Sequence, residues 1–383
     1  MPFLTDRIDQ TQREQRLTSA LGYENAGRTD RMPADTSFNP RLRSRFSFDP
    51  KQIENELRTS IIGQEEPIEK VMEILKVVRA DIGDPRKPLA SIMLCGPTGV
   101  GKTETVRTIA RAMYGDADAF CRVDMNTLSQ EHYAAAITGA PPGYVGSKEG
   151  TTILDQETIE GQRDLPGLVL FDELEKASNE VVLALMNVFD NGILTVASGG
   201  RTYSFRNSLI FMSSNLGATE LMSLGDSKPA LGTLWKNLRS KPATPRQDAR
   251  DIVMKELLAR FPPELVNRFD HIETFNPISK DQLPDLVDVE LARLNNRLKK
   301  HELRLQISED VRSFISTEGY DKRFGARDLR RAMRRLLEFP LADYLLSNQG
   351  GHAPSDGCVN MDIVAEHLDG AISFRSSERA DHT

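Results

Sequence analysis

Cysteine is scarce in this sequence, and the cysteines that occur lie far apart. The 383 residues include three, Cys95, Cys121 and Cys358, and none belongs to a CxxC pair. The six histidines form neither an HExxH motif nor a zinc-finger spacing. A disulfide framework needs paired cysteines, and a zinc site needs closely grouped ligands. Neither disulfide bonds nor zinc are therefore expected.

Long apolar runs are lacking as well. No stretch approaches the roughly 20 apolar residues that cross a bilayer as a helix. The first residues show no cationic segment followed by an apolar one, which would indicate a secretory signal. The apolar, charged and aromatic fractions of 39%, 27% and 6% are typical of globular proteins. These features predict a soluble, cytoplasmic protein without a membrane partner.

An excess of basic residues is also absent. The formal net charge is −7, whereas a protein that binds duplex DNA usually places many lysines and arginines against the phosphates. Nucleic acid is therefore not the expected partner, although a local basic patch is compatible with this charge.

The length and the changes of pattern along the chain predict two domains between two terminal segments. Residues 1–50 contain few large apolar groups and form an N-terminal extension. It is either a flexible tail or a docking helix built on Leu4, Ile8, Leu17 and Leu21. Residues 51–275 form a large domain, residues 276–375 a small domain, and residues 376–383 a frayed tail.

The large domain alternates short apolar runs with helical stretches. This alternation is typical of an α/β fold in which helices flank a parallel sheet. The expected sheet is five-stranded, with strands at Ser91–Cys95, Phe120–Met125, Leu168–Phe171, Leu209–Met212 and Ile272–Phe275.

The small domain is predicted to be mostly helical with a few short strands. Ser279 and Gln282 have the spacing of a capping box for a helix that continues to Leu298. Further helices are expected at Glu309–Glu318 and Ala326–Leu346, and strands at Leu303–Ile307, Val359–Val364 and Ala371–Phe374.

A nucleotide-binding motif follows the first predicted strand. The residues Gly96, Pro97, Thr98, Gly99, Val100, Gly101, Lys102 and Thr103 match GxxxxGK[ST] and lead into a helical stretch. In such a loop, backbone N–H groups converge on phosphates, the lysine adds a positive charge, and the hydroxyl can ligate Mg²⁺. The motif therefore predicts a site for ATP and Mg²⁺.

A second motif supplies the groups that hydrolysis needs. The apolar run 168–171 ends in Asp172 and Glu173, at the end of a strand where ligand sites of α/β proteins lie. We expect Asp172 to hold the magnesium shell, largely through water, and Glu173 to orient and polarise the attacking water. Together the two motifs predict an ATP-hydrolysing enzyme and not a passive binder.

The segment between these motifs resembles a known loop. Residues 139–150 read Gly-Ala-Pro-Pro-Gly-Tyr-Val-Gly-Ser-Lys-Glu-Gly, similar to the pore loop in the second ATPase ring of the Clp/Hsp100 family of AAA+ unfoldases. The resemblance runs from about Ile61 to Phe374. It includes Ile-Ile-Gly-Gln, Phe-Asp-Glu-Leu-Glu-Lys-Ala, Met-Ser-Ser-Asn-Leu-Gly, Phe-Pro-Pro-Glu-Leu-Val-Asn-Arg and Phe-Gly-Ala-Arg. It implies the AAA+ fold.

The resemblance implies that the pore loop contains Gly143, Tyr144, Val145 and Gly146. Tyr144 would grip the substrate, because the flanking glycines allow a tight loop that displays one aromatic ring. An aromatic ring of this kind contacts most polypeptide sequences without distinguishing between them.

The same resemblance implies roles for residues around the nucleotide. Ile61 and Ile62 would clamp the adenine, and Asn215 would be sensor 1, an amide that contacts the water or the γ-phosphate. Arg268 would be the arginine finger that reaches a neighbouring subunit's nucleotide, and Arg327 would be sensor 2. A finger that acts in trans implies a homo-oligomer, a hexameric ring in this family.

The chain also departs from its larger relatives. It has no room for their substrate-binding N-domain and first ATPase ring, so we expect a single-module motor. Residues 218–249 form a polar insertion without the bulky-Gly-bulky tripeptide of relatives that feed a barrel peptidase, so docking to a ClpP-type peptidase is not expected. The insertion is either a partner surface or a loop without function. The segment Gly192–Tyr203 is either a second channel loop or a plain hairpin.

These features favour one function over two others. The first is an ATP-dependent unfoldase or remodelling chaperone that threads a polypeptide client through a ring, with client choice set by an adaptor, the insertion or the N-terminal extension. The alternatives are an AAA+ motor or loader that acts on nucleic acid, and an ATP-gated assembly chaperone that holds one dedicated partner without threading it.

Overall fold

The computed structural model describes residues 43–127, 154–196, 201–224, 245–319, 321, 325–347, 361–368 and 370–378. The strands are β1 Ala90–Cys95, β2 Cys121–Asp124, β3 Gly167–Asp172, β4 Ile193–Val196, β5 Arg201–Ser204, β6 Ser208–Ser214, β7 His271–Thr274, β8 Leu303–Ile307, β9 Met361–Leu368 and β10 Ala371–Glu378. The α-helices are α1 Pro50–Ser60, α2 Glu65–Ala80, α3 Lys102–Tyr114, α4 Gln156–Glu160, α5 Asn179–Asn191, α6 Ala218–Leu224, α7 Pro245–Arg260, α8 Pro263–Val266, α9 Leu283–Leu298, α10 Glu309–Glu318, α11 Ala326–Met333 and α12 Phe339–Ser347.

A five-stranded parallel sheet forms the centre of the large domain, in the order β2-β3-β6-β1-β7. Every residue of β1, β3 and β6 is buried, because helices cover both faces of the sheet. The predicted α/β fold is confirmed, and each predicted strand lies within one or two residues of an observed one.

The two faces of the sheet carry separate apolar cores. Ile92 and Leu94 of β1 belong to a cluster with α1, α2, α3 and the small domain. Met93 and Cys95 belong to a second cluster with α4, α5, α7 and α8. This division follows from the alternation of side chains along a strand. Among the described residues, the small domain therefore shares the core on one face of the sheet.

The ordered large domain begins before the predicted start at residue 51, so the assignment of all of 1–50 to a flexible extension is wrong for its last residues. Phe46 and Phe48 are buried in the core, and the N–H of Ser47 donates to the carbonyl oxygen of Asp164 at 2.9 Å. Two phenylalanines bury enough apolar surface to fix this segment. The docking-helix residues Leu4 to Leu21 lie outside the described residues.

The small domain has the predicted helices and strands. The Ser279 and Gln282 capping box is present and precedes α9. Strand β9 lies between β8, to which it is parallel, and β10, to which it is antiparallel. The predicted helix at Ala326–Leu346 is interrupted by a π-helical turn at Arg334–Glu338. Strand β10 continues to Glu378, so the predicted tail at 376–383 begins too early.

Two segments left open by the sequence are partly described. Strands β4 and β5 pair antiparallel, so Gly192–Tyr203 contains a hairpin, whose residues 197–200 lie outside the described part. The ends of the predicted insertion 218–249 belong to α6 and α7, where Leu221 and Ala249 are buried. Residues 225–244 lie outside the described part. Within the part of the chain that the structure describes, no helix has the length and apolarity to span a membrane.

Candidate active site

The GxxxxGK[ST] motif forms a loop between the end of β1 and the start of α3. Gly96 has a φ of +139°, and a Cβ atom built there would lie 2.4 Å from the carbonyl oxygen of Phe275. Only glycine fits this position, because both the backbone conformation and the space exclude a side chain. The loop therefore lies directly at the carboxyl edge of the sheet, beside β7.

Lys102 is buried although it is charged, with an exposed fraction of 7%. Its Nζ donates to the carbonyl oxygens of Gly96 at 2.5 Å and Pro97 at 2.8 Å, and to Oδ1 of Asn215 at 3.0 Å. None of these three acceptors is a carboxylate. Burial is the main cause that lowers the pKa of the ammonium group to about 8, and the positive charge of Arg327 contributes to this decrease. A buried cation of this kind fits an anionic ligand.

The predicted acidic pair lies at the end of β3. Asp172 accepts a hydrogen bond from the Ser213 hydroxyl, and its Oδ2 accepts two from Arg122, from Nε at 3.1 Å and Nη2 at 2.6 Å. The next residue, Glu173, has the left-handed conformation at φ +57°, and its N–H donates to the Ser213 hydroxyl at 3.0 Å. This conformation is costly for glutamate, and such strain is concentrated at functional sites.

Asn215 follows β6 and connects the two motifs. Its Oδ1 accepts from Lys102 and, at 3.3 Å, from the Thr98 hydroxyl. Its backbone N–H donates to Oε1 of Glu175 at 3.2 Å. The amide that the sequence predicted as sensor 1 thus touches the phosphate-binding loop.

The small domain closes the site from the other side. The N–H of Ala326 donates to the carbonyl oxygen of Gly99 at 3.1 Å, which fixes the start of α11 on the loop. Arg293 of α9 donates to Glu104 of α3 at 2.5 Å and to Glu290 at 2.8 Å. These contacts hold the two domains together around the phosphate-binding loop.

A cleft of about 280 Å³ lies between these elements. One part of its lining is apolar: Ile61, Ile62, Ile278, Leu286 and Val289. The other part is polar and includes Thr98, Lys102, Thr103, Arg122, Asp172, Glu173, Asn215, Arg327 and Arg330. An apolar pocket that continues into a cationic one matches a nucleotide, whose base is flat and apolar and whose phosphates are anionic.

The residues of the cleft fit a magnesium nucleotide. Lys102 is a buried cation with neutral acceptors only among its three hydrogen bonds, and Thr103 and Asp172 offer the hydroxyl and carboxylate oxygens that Mg²⁺ prefers. When bound, the metal ion neutralises charge that develops on the phosphate oxygens. Glu173 lies in the same cleft and can accept a proton from a water molecule held there.

One predicted site residue does not line the cleft, and one predicted loop is not described. Arg268 is not among the residues that line it, and its Nε donates to Oδ1 of Asp190 at 2.7 Å. The pore-loop residues Gly143, Tyr144, Val145 and Gly146 lie outside the described residues. The remaining predicted site residues lie together at the cleft or in the loop that forms it.

Several polar residues of the site could not be predicted from the sequence. Glu175 lies within Phe-Asp-Glu-Leu-Glu-Lys-Ala, but the motif assigns it no role. Three arginines, Arg122, Arg293 and Arg330, belong to no motif, and single charged residues on strands and helices are usually solvated. Only the fold shows that Arg122 contacts Asp172 and that Arg330 donates to Glu290 at 2.8 Å beside the cleft.

The fold and the site define an AAA+ P-loop ATPase with a small helical domain behind its nucleotide cleft. Comparison with known families agrees with this class. Residues 87–272 match the AAA domain (Cdc48 subfamily), and residues 278–354 match the C-terminal, D2-small domain of ClpB protein.

Individual relatives narrow the assignment of the chain to a family. A protein of Pseudomonas aeruginosa, described as the ATP-dependent protease ATP-binding subunit-like protein AmiB, is 52% identical over 96% of this chain and 98% of its own length. The chaperone protein ClpB of Aquifex aeolicus is 35% identical over 85% of this chain, which spans only 30% of that relative. A closed-state cryo-EM structure of Hsp104 with ATPγS and FITC casein has a TM-score of 0.67 at 26% identity and covers 85% of this chain and 51% of that one.

The chain belongs to the Clp/Hsp100 family of AAA+ ATPases. It is therefore an ATP-hydrolysing enzyme that works with Mg²⁺ and is of the ATP-dependent unfoldase type.

Proposed function

We propose that the chain assembles into a hexameric ring and threads polypeptide clients through its centre. The observation that carries this proposal is the position of Arg268. It does not line the cleft of its own chain, where its guanidinium pairs with Asp190 and donates to the carbonyl oxygen of Glu264, and this supports a role at the nucleotide site of a neighbouring subunit. The solved Hsp104 structure, which contains casein, supports a polypeptide client.

Within this proposal each site residue has one role. Lys102 and the loop 96–101 hold the phosphates, Thr103 and Asp172 hold Mg²⁺, and Ile61 and Ile62 enclose the adenine. Glu173 polarises the attacking water, and Asn215 orients it. Arg327 couples the state of the nucleotide to the position of the small domain, because the neighbouring Ala326 is hydrogen-bonded to the phosphate-binding loop. Tyr144, in the loop 143–146, grips the client.

The proposal extends to location and partners. We place the ring in the cytoplasm, on the basis of the bacterial Clp relatives that this chain resembles. An adaptor would bind the N-terminal extension or the insertion 218–249.

The test is the ATPase rate, measured together with particle size in ATP, for the wild type, Tyr144→Ala and Tyr144→Phe, with and without casein. We expect casein to accelerate hydrolysis in a large ring, the alanine variant to lose this response, and the phenylalanine variant to retain it, because the grip needs only an aromatic ring. The basal rate and ring size should not change.

Other outcomes identify the alternatives. An active ring that ignores casein and is unaffected by Tyr144→Ala contradicts threading and favours an assembly chaperone for one partner. Stimulation by single-stranded or duplex DNA that weakens steeply with salt favours a nucleic-acid motor.

A further inference from the structure

Glu175 is a partly buried carboxylate that the roles above leave unused. It lies on the 3-10 turn Leu174–Lys176, directly after the acidic pair. Its Oε1 accepts the N–H of Asn215 at 3.2 Å, while its Oε2 is buried and has no hydrogen-bond partner among the described residues. An unsatisfied buried carboxylate oxygen costs free energy, so its retention needs a reason.

The hydrogen bond to Glu175 determines the position of the Asn215 backbone. Asn215 is the first residue after β6, and its side chain reaches back to Lys102 and Thr98. A carboxylate that holds its N–H fixes the backbone from which this side chain projects. The negative charge of Glu175 also favours the charged form of the buried Lys102.

Arg260 holds the turn that carries Glu175. This residue ends α7, and its guanidinium donates from Nε to the carbonyl oxygen of Glu175 at 2.8 Å and from Nη2 to that of Ala177 at 2.7 Å. Two bonds from one planar group to two carbonyls fix both position and orientation. The turn therefore moves with the end of α7.

The end of α7 is also joined to the segment that carries Arg268. The chain continues from Arg260 through Phe261 and two prolines into α8, and the apolar residues Phe261, Leu265, Val266 and Phe269 along it are buried. Proline and a packed apolar face make this connection stiff. A shift of residues 261–269, the Arg268 segment, therefore also displaces Arg260.

We propose that Glu175 and Arg260 are positioning residues for hydrolysis, which set the place of Asn215 in the cleft according to the position of the Arg268 segment. The inference rests on the role of Asn215 given under the proposed function. Neither residue lines the nucleotide cleft. Both act through the turn 174–177 and the N–H of Asn215.

The test is a kinetic comparison of the full-length chain with Glu175→Ala, Glu175→Gln, Arg260→Ala and Arg260→Lys. We expect the two alanine variants to lose kcat by about 10-fold to 100-fold, because small displacements of a positioning group have effects of this size. KM and the affinity for a fluorescent ATP analogue should stay within about threefold, since the phosphate-binding loop is intact.

The conservative variants separate positioning from general stability. Glutamine retains an oxygen that can accept the N–H of Asn215, so Glu175→Gln should recover most of the lost kcat. Lysine can serve one of the two carbonyls that Arg260 serves, so Arg260→Lys should be intermediate. The control is Lys255→Ala, which removes an exposed cation from the same helix and should leave kcat and Tm unchanged.

Asn215→Ala and the double variant Glu175→Ala/Asn215→Ala complete the design. If Glu175 acts through Asn215, the double variant loses no more kcat than the worse single variant. Two results overturn the inference but leave the proposed role of Asn215 standing. One is that the kcat losses of the single variants add in the double variant. The other is that Glu175→Ala and Arg260→Ala have normal kcat while Asn215→Ala is impaired. Normal hydrolysis by Asn215→Ala overturns the proposed role of Asn215 instead. A loss of kcat, affinity and Tm together in both Glu175 variants indicates a structural role and also overturns the inference.

Discussion

The N–H of Ala326 donates a hydrogen bond of 3.1 Å to the carbonyl oxygen of Gly99, across the boundary between the two domains. The preceding residue, Gly325, has φ +54° and ψ −138°, a conformation that side chains rarely adopt. A Cβ atom at Gly325 would lie 3.0 Å from the same carbonyl oxygen. The approach of the small domain to the phosphate-binding loop therefore depends on a glycine.

We expect Gly325→Ala to weaken nucleotide binding. The added methyl group is strained in its own backbone and presses on Gly99, so α11 and Arg327 must move away from the cleft. The cost of such strain is about 1–3 kcal/mol, which corresponds to a loss of roughly 5-fold to 150-fold in affinity. Titration of a fluorescent ATP analogue measures it. The matched control is Gly83→Ala, where a Cβ meets nothing within 4 Å. Equal affinities for the two variants would contradict the prediction.

The central sheet could be predicted from the sequence because each of its main strands is marked by a pattern of neighbouring residues. Strands β1, β3 and β6 each contain a run of three or four apolar residues, and the two nucleotide motifs mark the ends of β1 and β3. The place of the small domain could not be predicted in this way. It depends on single contacts such as Arg293 with Glu104, between residues 189 positions apart in the chain.

The start of the large domain was missed for a related reason. Phe46 and Phe48 alternate as in a strand but stand in a polar, arginine-rich stretch, so the apolar signal was too short to separate them from the extension. Tertiary burial in the core decides their structure.

A second prediction concerns the ion pairs that join the domains. Arg293 lies between Glu104 of the large domain and Glu290 of its own helix, and its side chain is 29% exposed. Arg293→Glu places three carboxylates together beside the phosphate site. We expect about a tenfold or greater loss of ATP-analogue affinity, since like charges in contact cost several kcal/mol.

Arg297→Glu is the control for this charge reversal. Arg297 lies one turn further along α9, and its partner Glu338 belongs to the same domain. The pair is more exposed, so its reversal should change nucleotide affinity by less than about threefold. An equal loss in both variants would show that general charge, and not the domain contact, sets the affinity.

The third prediction tests whether Arg268 acts between subunits. Glu173→Gln should bind ATP but hardly hydrolyse it, and Arg268→Ala should assemble yet lose about 10³-fold in turnover. In mixed rings a Glu173→Gln subunit supplies Arg268 to a neighbour that still has Glu173, so some ATPase activity should return. Normal turnover by dilute, monomeric Arg268→Ala would rule out action in trans. Arg297→Ala serves as a control for loss of an exposed arginine.

The fourth prediction concerns stability against pH at the edge strand β7. The side chain of Glu273 is 13% exposed, and burial raises its pKa from 4.5 to about 7. The titratable and charged groups that face it are Lys70, Glu66 and Glu73 of α2, Arg250 of α7 and, at 4.0 Å, His271 of its own strand. Burial exceeds the effect of the cations among them, so the folded chain prefers the neutral acid.

The folded chain therefore holds more protons at Glu273 than the unfolded chain does between pH 4.5 and about 7. The free energy of unfolding must fall with rising pH through this window and stay lowered above it. Glu273→Gln removes this dependence, so its Tm relative to the wild type should rise from pH 5 to pH 8. Glu69→Gln, an exposed change on α2, should give a constant difference. A constant difference for Glu273→Gln as well would mean that Glu273 titrates alike in the folded and unfolded chains.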